Sequence, residues 1–453
     1  MTIPEQHRLT GGWRKIILVC LALGWLTLPF SQLRWLPDLG TTRPLCVFFF
    51  AAAIFLQYTF DLHNGPRTWK RLLGWDFIQT HLIHGPGGAF LRWWLLLCAL
   101  GVASAAITPF YGSPFQALSR LLGYLIILVY LYSALLSLEL AGAARIATWI
   151  HAGYVPVLIY AGVEALAQRQ VAWAAALVAA VRQAIIVPFN PQDRMAWFCT
   201  EPSFVAFQVI LLLATLPFLR QRWLRATSLA LIGLAAWFTQ SGMVWMLLAC
   251  YLAGLVFFSL THKTRLWLTA SSGGAAGVLT LGYLLSPALQ SRLAEGWVWL
   301  LAHNLRLHNM NISVQIRLNY IFNLFYTLLD TYGLGLGIGQ YGLFWKEIYQ
   351  RHIDYRAFDP TGEVAAALAS DGYMRPWSVI LGVGVDLSVI GLGIFALMLV
   401  QLWRYLPKAH ARGIFVASLA GIAGAYPIVM PHIWLALALL GGVGALAAQA
   451  KTE

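Results

Sequence analysis

Charge is scarce in this chain. Only 10% of its 453 residues are Asp, Glu, Lys or Arg and 60% are hydrophobic, with a mean hydropathy of +0.70. Soluble domains carry roughly 25% charged residues, and a water-soluble core cannot hide this much apolar surface. That excludes a soluble enzyme and implies an all-α polytopic membrane protein. Acidic residues are the scarcest, 17 against 30 basic ones, for a net charge of +13. In such a chain basic residues mark cytoplasmic loops, so no nucleic-acid partner is implied. Cysteine is sparse and scattered: Cys20, Cys46, Cys98, Cys199 and Cys250. Five thiols, four of them inside apolar runs, are neither a disulfide framework nor a zinc site. No HExxH-type spacing, internal repeat or low-complexity tail appears. Arg14 and Lys15 precede an apolar run without a small-residue cleavage site, which reads as a retained first helix.

What is abundant is apolar sequence of spanning length, which takes roughly 20 residues per helix. The spacing predicts about twelve transmembrane helices, near 15–32, 44–61, 92–110, 120–140, 146–168, 202–219, 225–240, 242–260, 266–286, 377–403, 413–430 and 432–449. With the N-terminus inside, alternate loops hold Arg8, Arg14 and Lys15; Arg67, Lys70, Arg71 and Arg92; Arg220, Arg222 and Arg225; Lys263 and Arg265; and Arg404, Lys408 and Arg412. The positive-inside rule then places both termini in the cytoplasm. Residues 1–453 read as one membrane domain, with two extracytoplasmic segments, 168–202 and 286–376, forming an outer cap.

Those outer segments carry arginine against the charge rule, as long translocated loops can. The first holds Arg169, Arg182 and Arg194. The second holds Arg292, Arg306, Arg317, Arg351, Arg356 and Arg375, with Lys346 its single lysine. Residues 171–187 read as an interfacial amphipathic helix. Leu318, Phe322, Phe325 and Leu329 fall at helical spacing within 312–332, a candidate re-entrant piece. An interfacial arginine that snorkels to water explains Arg317 on bland terms. Lysine snorkels equally well, so the near-exclusion of lysine favours guanidinium groups that grip phosphate bidentately.

Three further features bear on chemistry. Glu201-Pro202-Ser203 reads either as a helix start capped by Thr200 or Ser203, or as one half of a charged pair with Arg194 at a membrane-level cleft. The alternating glycines Gly333 to Gly339 lack the preceding strand of a nucleotide loop, so a tight turn or close backbone approach is the expectation. His352, between Arg351 and Asp354, is a candidate general base. His303 and His308 lie among asparagines and read as solvated.

In order along the chain, these pieces resemble the O-antigen polymerase and ligase superfamily of bacterial envelopes (Wzy-type polysaccharide polymerases above all). Arg194 before Glu201-Pro202-Ser203-Phe204 is similar to that family's Arg then Glu-Pro-Ser segment. Thr239-Gln240-Ser241-Gly242 looks like its Ser-rich helix junction. Arg317 ahead of Gly335-Leu336-Gly337-Ile338-Gly339-Gln340-Tyr341 looks like its Arg then glycine-run segment, and Asp386 to Gly393 is similar to the acidic, glycine-containing helix after its long loop. Residues 194–400 are covered. The ligase branch carries His where this chain has Trp377-Ser378, and the usual Pro before the glycine run is replaced by Tyr332.

The resemblance implies a GT-C-like membrane glycosyltransferase of the bacterial inner membrane, facing the periplasm and using no metal and no cofactor. Its implied substrate is an undecaprenyl-diphosphate-linked oligosaccharide in contact with membrane lipids, and its implied partner a chain-length regulator protein. Arg317, Arg194, Glu201 and His352 are then the expected catalytic residues. Arg182, Arg306, Arg351, Arg356, Arg375 and Tyr341 are the expected contacts to pyrophosphate or glycan. A ligase passing glycan to another acceptor, and a flippase or transporter for the lipid-linked glycan, are the alternatives.

Overall fold

The computed structural model describes residues 11–30, 33–36, 43–63, 78–79, 88–110, 112–185, 195–199, 202–239, 241–267, 269–271, 320–352, 368–369, 376, 378–406, 408–424 and 430–449. Among the described residues there is no strand, and the protein is all-α. Its helices are α1 (Gly11–Leu26), α2 (Cys46–His63), α3 (Gly88–Ile107), α4 (Pro114–Ala141), α5 (Ala143–Gly153), α6 (Val155–Gln168), α7 (Ala172–Ile185), α8 (Val205–Thr215), α9 (Arg222–Phe238), α10 (Gly242–Ser259), α11 (Tyr341–His352), α12 (Val379–Arg404), α13 (Ala409–Gly424) and α14 (Pro431–Gln449). A further helical stretch, 320–330, precedes α11.

Seven described stretches are long and apolar enough to cross a membrane: α2, α3, α4, α5 with α6, α10, α12 and α14. Four other expected spans correspond to shorter helices, namely α1, α8, α9 and α13, of 16, 11, 17 and 16 residues. The expected span at 266–286 lies mostly outside the described residues. The expected span 146–168 corresponds to one spanning stretch, Ala143–Gln168, with a one-residue turn at Tyr154 inside it. Helix α5 stops at Gly153, and α6 restarts with Pro156 in its first turn, where proline's missing N–H costs nothing. A helix, α7, forms where one is expected near 171–187, with Trp173 and Leu177 exposed.

Enclosure separates the bundle into centre and rim. In α4 and α14, 78% and 72% of the spanning window is buried, against 22% in α10. The first two form the packed centre. The rim presents Phe55, Val102, Trp245 and Val256 outward, as lipid-facing surfaces do. Aromatic rings fill the centre: Trp94 stacks on Tyr124 at 5.7 Å, meets Trp434 at 5.1 Å, and donates its indole N–H to the Tyr124 carbonyl at 2.9 Å. Trp25 donates to Ser137 at 2.8 Å, tying α1 to α4. An indole N–H buried in hydrocarbon needs such an acceptor.

Two irregularities in this regular bundle position the candidate sites. The first is a break in α12, where Leu387 and Ser388 leave helical geometry (Ser388 φ 68°, ψ 179°). The second is a pair of helices, 320–330 and α11, that lie side by side. Asn323 donates to the Trp345 carbonyl and accepts from Tyr341, while Asp330 meets His352. A constant offset of 22 residues links Asn323 to Trp345 and Asp330 to His352. The two helices therefore run in the same direction. Such neighbours need a return connection, and the glycine run is that connection.

Candidate functional site

The return loop occupies the break in α12. In an unbroken helix the Val389 N–H would bond the Val385 carbonyl, by the i→i−4 rule. Here Val389 donates to the Gly333 carbonyl at 2.8 Å, and the Val385 carbonyl accepts from Leu336 N–H at 2.9 Å. The loop has taken both halves of one helical hydrogen bond. Backbone polar groups left open inside a membrane protein must find such partners. Ser388 caps the second half of α12 through its hydroxyl, which accepts from Ile390 N–H at 3.2 Å.

Glycine is required here for two reasons. Gly333, Gly335, Gly337 and Gly339 all have φ between 72° and 87°, the left-handed region that side chains disfavour. A Cβ on Gly335 would also stand 2.5 Å from the Val385 carbonyl oxygen. The close backbone approach expected from the sequence is present. The strand-to-helix setting of a nucleotide loop is not.

Asp386 sits beside this clasp, 1% exposed. Its Oδ2 accepts from Arg120 Nε at 2.6 Å and from the Tyr124 hydroxyl at 3.1 Å, and its Oδ1 accepts from Gly339 N–H at 3.1 Å. Ser104 and Ser113 anchor the same loop: Ile338 N–H donates to the Ser104 hydroxyl at 2.9 Å, and Gln340 bonds Ser113 in both directions. One carboxylate thus joins α4, the loop and α12. With a donor on each oxygen and its side chain enclosed, it acts as a lock and is shielded from any substrate.

A second cluster lies at the far end of the parallel pair. His352 Nε2 is 2.8 Å from each oxygen of Asp330. Its ring lies flat on Tyr326, with centroids 4.7 Å apart and planes at 4°. Arg351 reaches Asp330 at 3.2 Å with one terminal nitrogen and Glu347 at 2.7 Å with the other. These groups are open to solvent, with His352 27% and Arg351 54% exposed at the side chain. Tyr341, from the other end of α11, is fully buried. Burial first, then the phenols of Tyr320 and Tyr349, hold its hydroxyl well above the ordinary phenol value. It stays protonated and donates to Asn323 at 2.8 Å, so it braces the pair from inside.

Arg182 belongs to a third cluster. It projects from α7 to the buried carboxylate of Glu164 on α6, at 3.0 Å. Glu164 also accepts from Trp197 N–H at 3.0 Å, which holds the segment 195–199 against the helix ends. About a quarter of the Arg182 side chain is exposed.

Of the site residues expected from sequence, the structure brings His352 and Arg351 together, places Tyr341 on the same helix, and puts Arg182 with Glu164. Arg317, Arg194, Glu201, Arg306, Arg356 and Arg375 lie outside the described residues. The carboxylate partner of His352 is Asp330, 22 residues earlier, in place of the neighbouring Asp354, which is also outside them. Sequence reasoning passed over Arg120 and Glu164. Both stand within apolar runs, where an ionisable side chain is itself the signal. Among the described residues no group of three or more His, Cys, Asp or Glu is placed to hold a metal ion.

Fold and apolar helices together define an all-α, multi-pass membrane protein. No family model matches the chain, and no curated protein or solved structure matches it either.

Proposed function

We propose that the protein is a membrane glycosyltransferase that polymerises oligosaccharide repeats carried on undecaprenyl diphosphate, working at the periplasmic face of a bacterial inner membrane with both termini in the cytoplasm. The observation that carries this reading is the His352–Asp330–Arg351 cluster. It is an imidazole paired with a carboxylate, exposed beside a guanidinium, on the helix pair that the glycine run connects. A histidine so placed suits proton removal from a sugar hydroxyl. The arginine-rich composition of 286–376 suits an anionic diphosphate leaving group. In this reading Arg317 and Arg194 hold the diphosphate, with Arg182, Arg306, Arg356 and Arg375 as further contacts. The spans number about twelve, the architecture is GT-C-like, and a chain-length regulator protein is the partner.

The test is elongation of a defined undecaprenyl-diphosphate-linked repeat by purified protein in detergent, with and without chelator. Wild type lengthens the glycan in both, and His352→Ala lowers the rate about a hundredfold while the protein stays folded. Wild-type protein that leaves every repeat single defeats the reading.

A second reading is favoured by one observation, the broken helix α12 with its buried Asp386–Arg120 pair, because transporters build sites at discontinuous helices. A carrier of lipid-linked glycan moves its cargo between leaflets and leaves its length unchanged. Elongation in detergent, where there are no leaflets, separates the two.

A further inference from the structure

Resting on the reading above, we propose that Asp330 is the positioning residue of the reaction. It binds Nε2 of His352 and so leaves Nδ1 as the atom that takes the proton from the acceptor hydroxyl. Both Asp330 oxygens lie 2.8 Å from Nε2. A carboxylate at that distance accepts a hydrogen bond, so the neutral ring carries its proton on Nε2 and presents a lone pair at Nδ1. Among the described residues Nδ1 has no hydrogen-bond partner. Tyr326 covers one ring face at 4.7 Å, which restricts rotation of the imidazole. The ring is held by its edge and its face, and its remaining nitrogen is the open one.

The charges around the ring agree. Two carboxylates, Asp330 and Glu347, surround a single guanidinium, Arg351. Among the described residues these three groups sum to one negative charge, opposite in sign to the imidazolium formed when His352 takes a proton. Each terminal nitrogen of Arg351 already holds a carboxylate, which gives that arginine the task of steadying Asp330 and leaves the diphosphate to other arginines. Asp330 and His352 come from different helices, and the glycine loop sets their register. The loop is fixed in turn by α12.

The step balances. The acceptor O–H bond breaks and its proton goes to Nδ1, while the oxygen forms a bond to the anomeric carbon of the donor. The bond from that carbon to the diphosphate oxygen breaks, and its electron pair leaves with undecaprenyl diphosphate. The imidazolium then returns its proton to water.

The experiment uses the full chain in detergent with a defined undecaprenyl-diphosphate-linked repeat, and compares wild type with Asp330→Asn, Asp330→Glu, His352→Gln and the double variant Asp330→Asn/His352→Gln. Asparagine can accept or donate at Nε2, so it no longer fixes the tautomer. Asp330→Asn is expected to lower kcat about a hundredfold with KM for the lipid donor unchanged. Asp330→Glu recovers part of that loss, and the double variant is no slower than His352→Gln, as expected of groups that act as a unit. An active wild type together with Asp330→Asn within twofold of it overturns the positioning role and leaves the proposed function standing. So does a rate loss that is fully accounted for by a matching loss of folded protein, read by size-exclusion chromatography. An inactive wild type sinks the proposed function. The dyad is then judged by 15N NMR of the histidine rings, with the His352 signal assigned by its absence in His352→Gln. A proton on Nε2 that becomes mixed in Asp330→Asn supports the assignment, and a proton on Nδ1 in wild type overturns it.

Discussion

Two carboxylate–arginine clusters flank the same glycine loop, and they are opposites. At one, Asp386 is wholly enclosed, Arg120 is 11% exposed at the side chain, and three donors reach the two carboxylate oxygens. At the other, Asp330 is 23% and Arg351 54% exposed, and among the described residues nothing bonds the second nitrogen of the imidazole beside them. The residue types are nearly the same. Burial divides the labour: a buried ion pair cannot lose one member without stranding a charge, whereas an exposed pair contributes little to stability and is free to serve chemistry.

The contrast breaks most clearly at Arg120. Replacing it with alanine leaves Asp386 buried without its cation, which should cost about 3–5 kcal/mol. Thermal unfolding of the detergent-purified variant measures this, and an unchanged midpoint would remove Asp386 from its role as a lock. Next comes Gly335→Ala, whose Cβ would stand 2.5 Å from the Val385 carbonyl oxygen at a residue with φ +73°. A cost of about 2 kcal/mol is expected from the backbone conformation, together with reduced elongation, because the loop sets the register of Asp330 and His352. Unfolding and rate measured on the same preparation should fall together. Ser388→Gly acts in the other direction. A serine at φ 68° and ψ 179° occupies a region that suits glycine alone, so the variant should gain about 1 kcal/mol even without the Ser388 cap. A destabilised variant would show that the cap outweighs the strain. The smallest effect belongs to Glu347→Gln. It removes an exposed i,i+4 partner of Arg351 and should shift stability by less than about 0.5 kcal/mol. A larger shift in unfolding would place the outer cluster in the same structural class as the inner one.

Sequence made the helical, membrane-embedded class legible because hydrophobicity over twenty residues is a local property. It also made legible the helix α7 and the backbone crowding at Gly333 to Gly339, since both follow from residue type over short distances. The break in α12 was not legible. No proline marks it, and Asp386-Leu387-Ser388 is a minor polar interruption in a strongly apolar run. The break exists because a loop some fifty residues earlier supplies its missing hydrogen bonds. The Asp330–His352 pairing was hidden for the same reason. His352 has Asp354 as its nearest acidic neighbour in the chain, and only the parallel packing of two helices brings Asp330 to it. Arg120 and Glu164 were readable in principle as charges within apolar runs, but nothing local showed that Asp386 and Arg182 were their partners.

The parallel course of 320–330 and α11 has an electrostatic consequence. In an antiparallel hairpin, neighbouring helix dipoles oppose each other and largely cancel. Here they add, and both carbonyl-rich C-terminal ends emerge where Asp330 and His352 meet. Each such end behaves as roughly half a negative charge. Two of them at one place form a standing field that welcomes a cation, and that field belongs to the backbone. No side-chain substitution in the cluster would erase it.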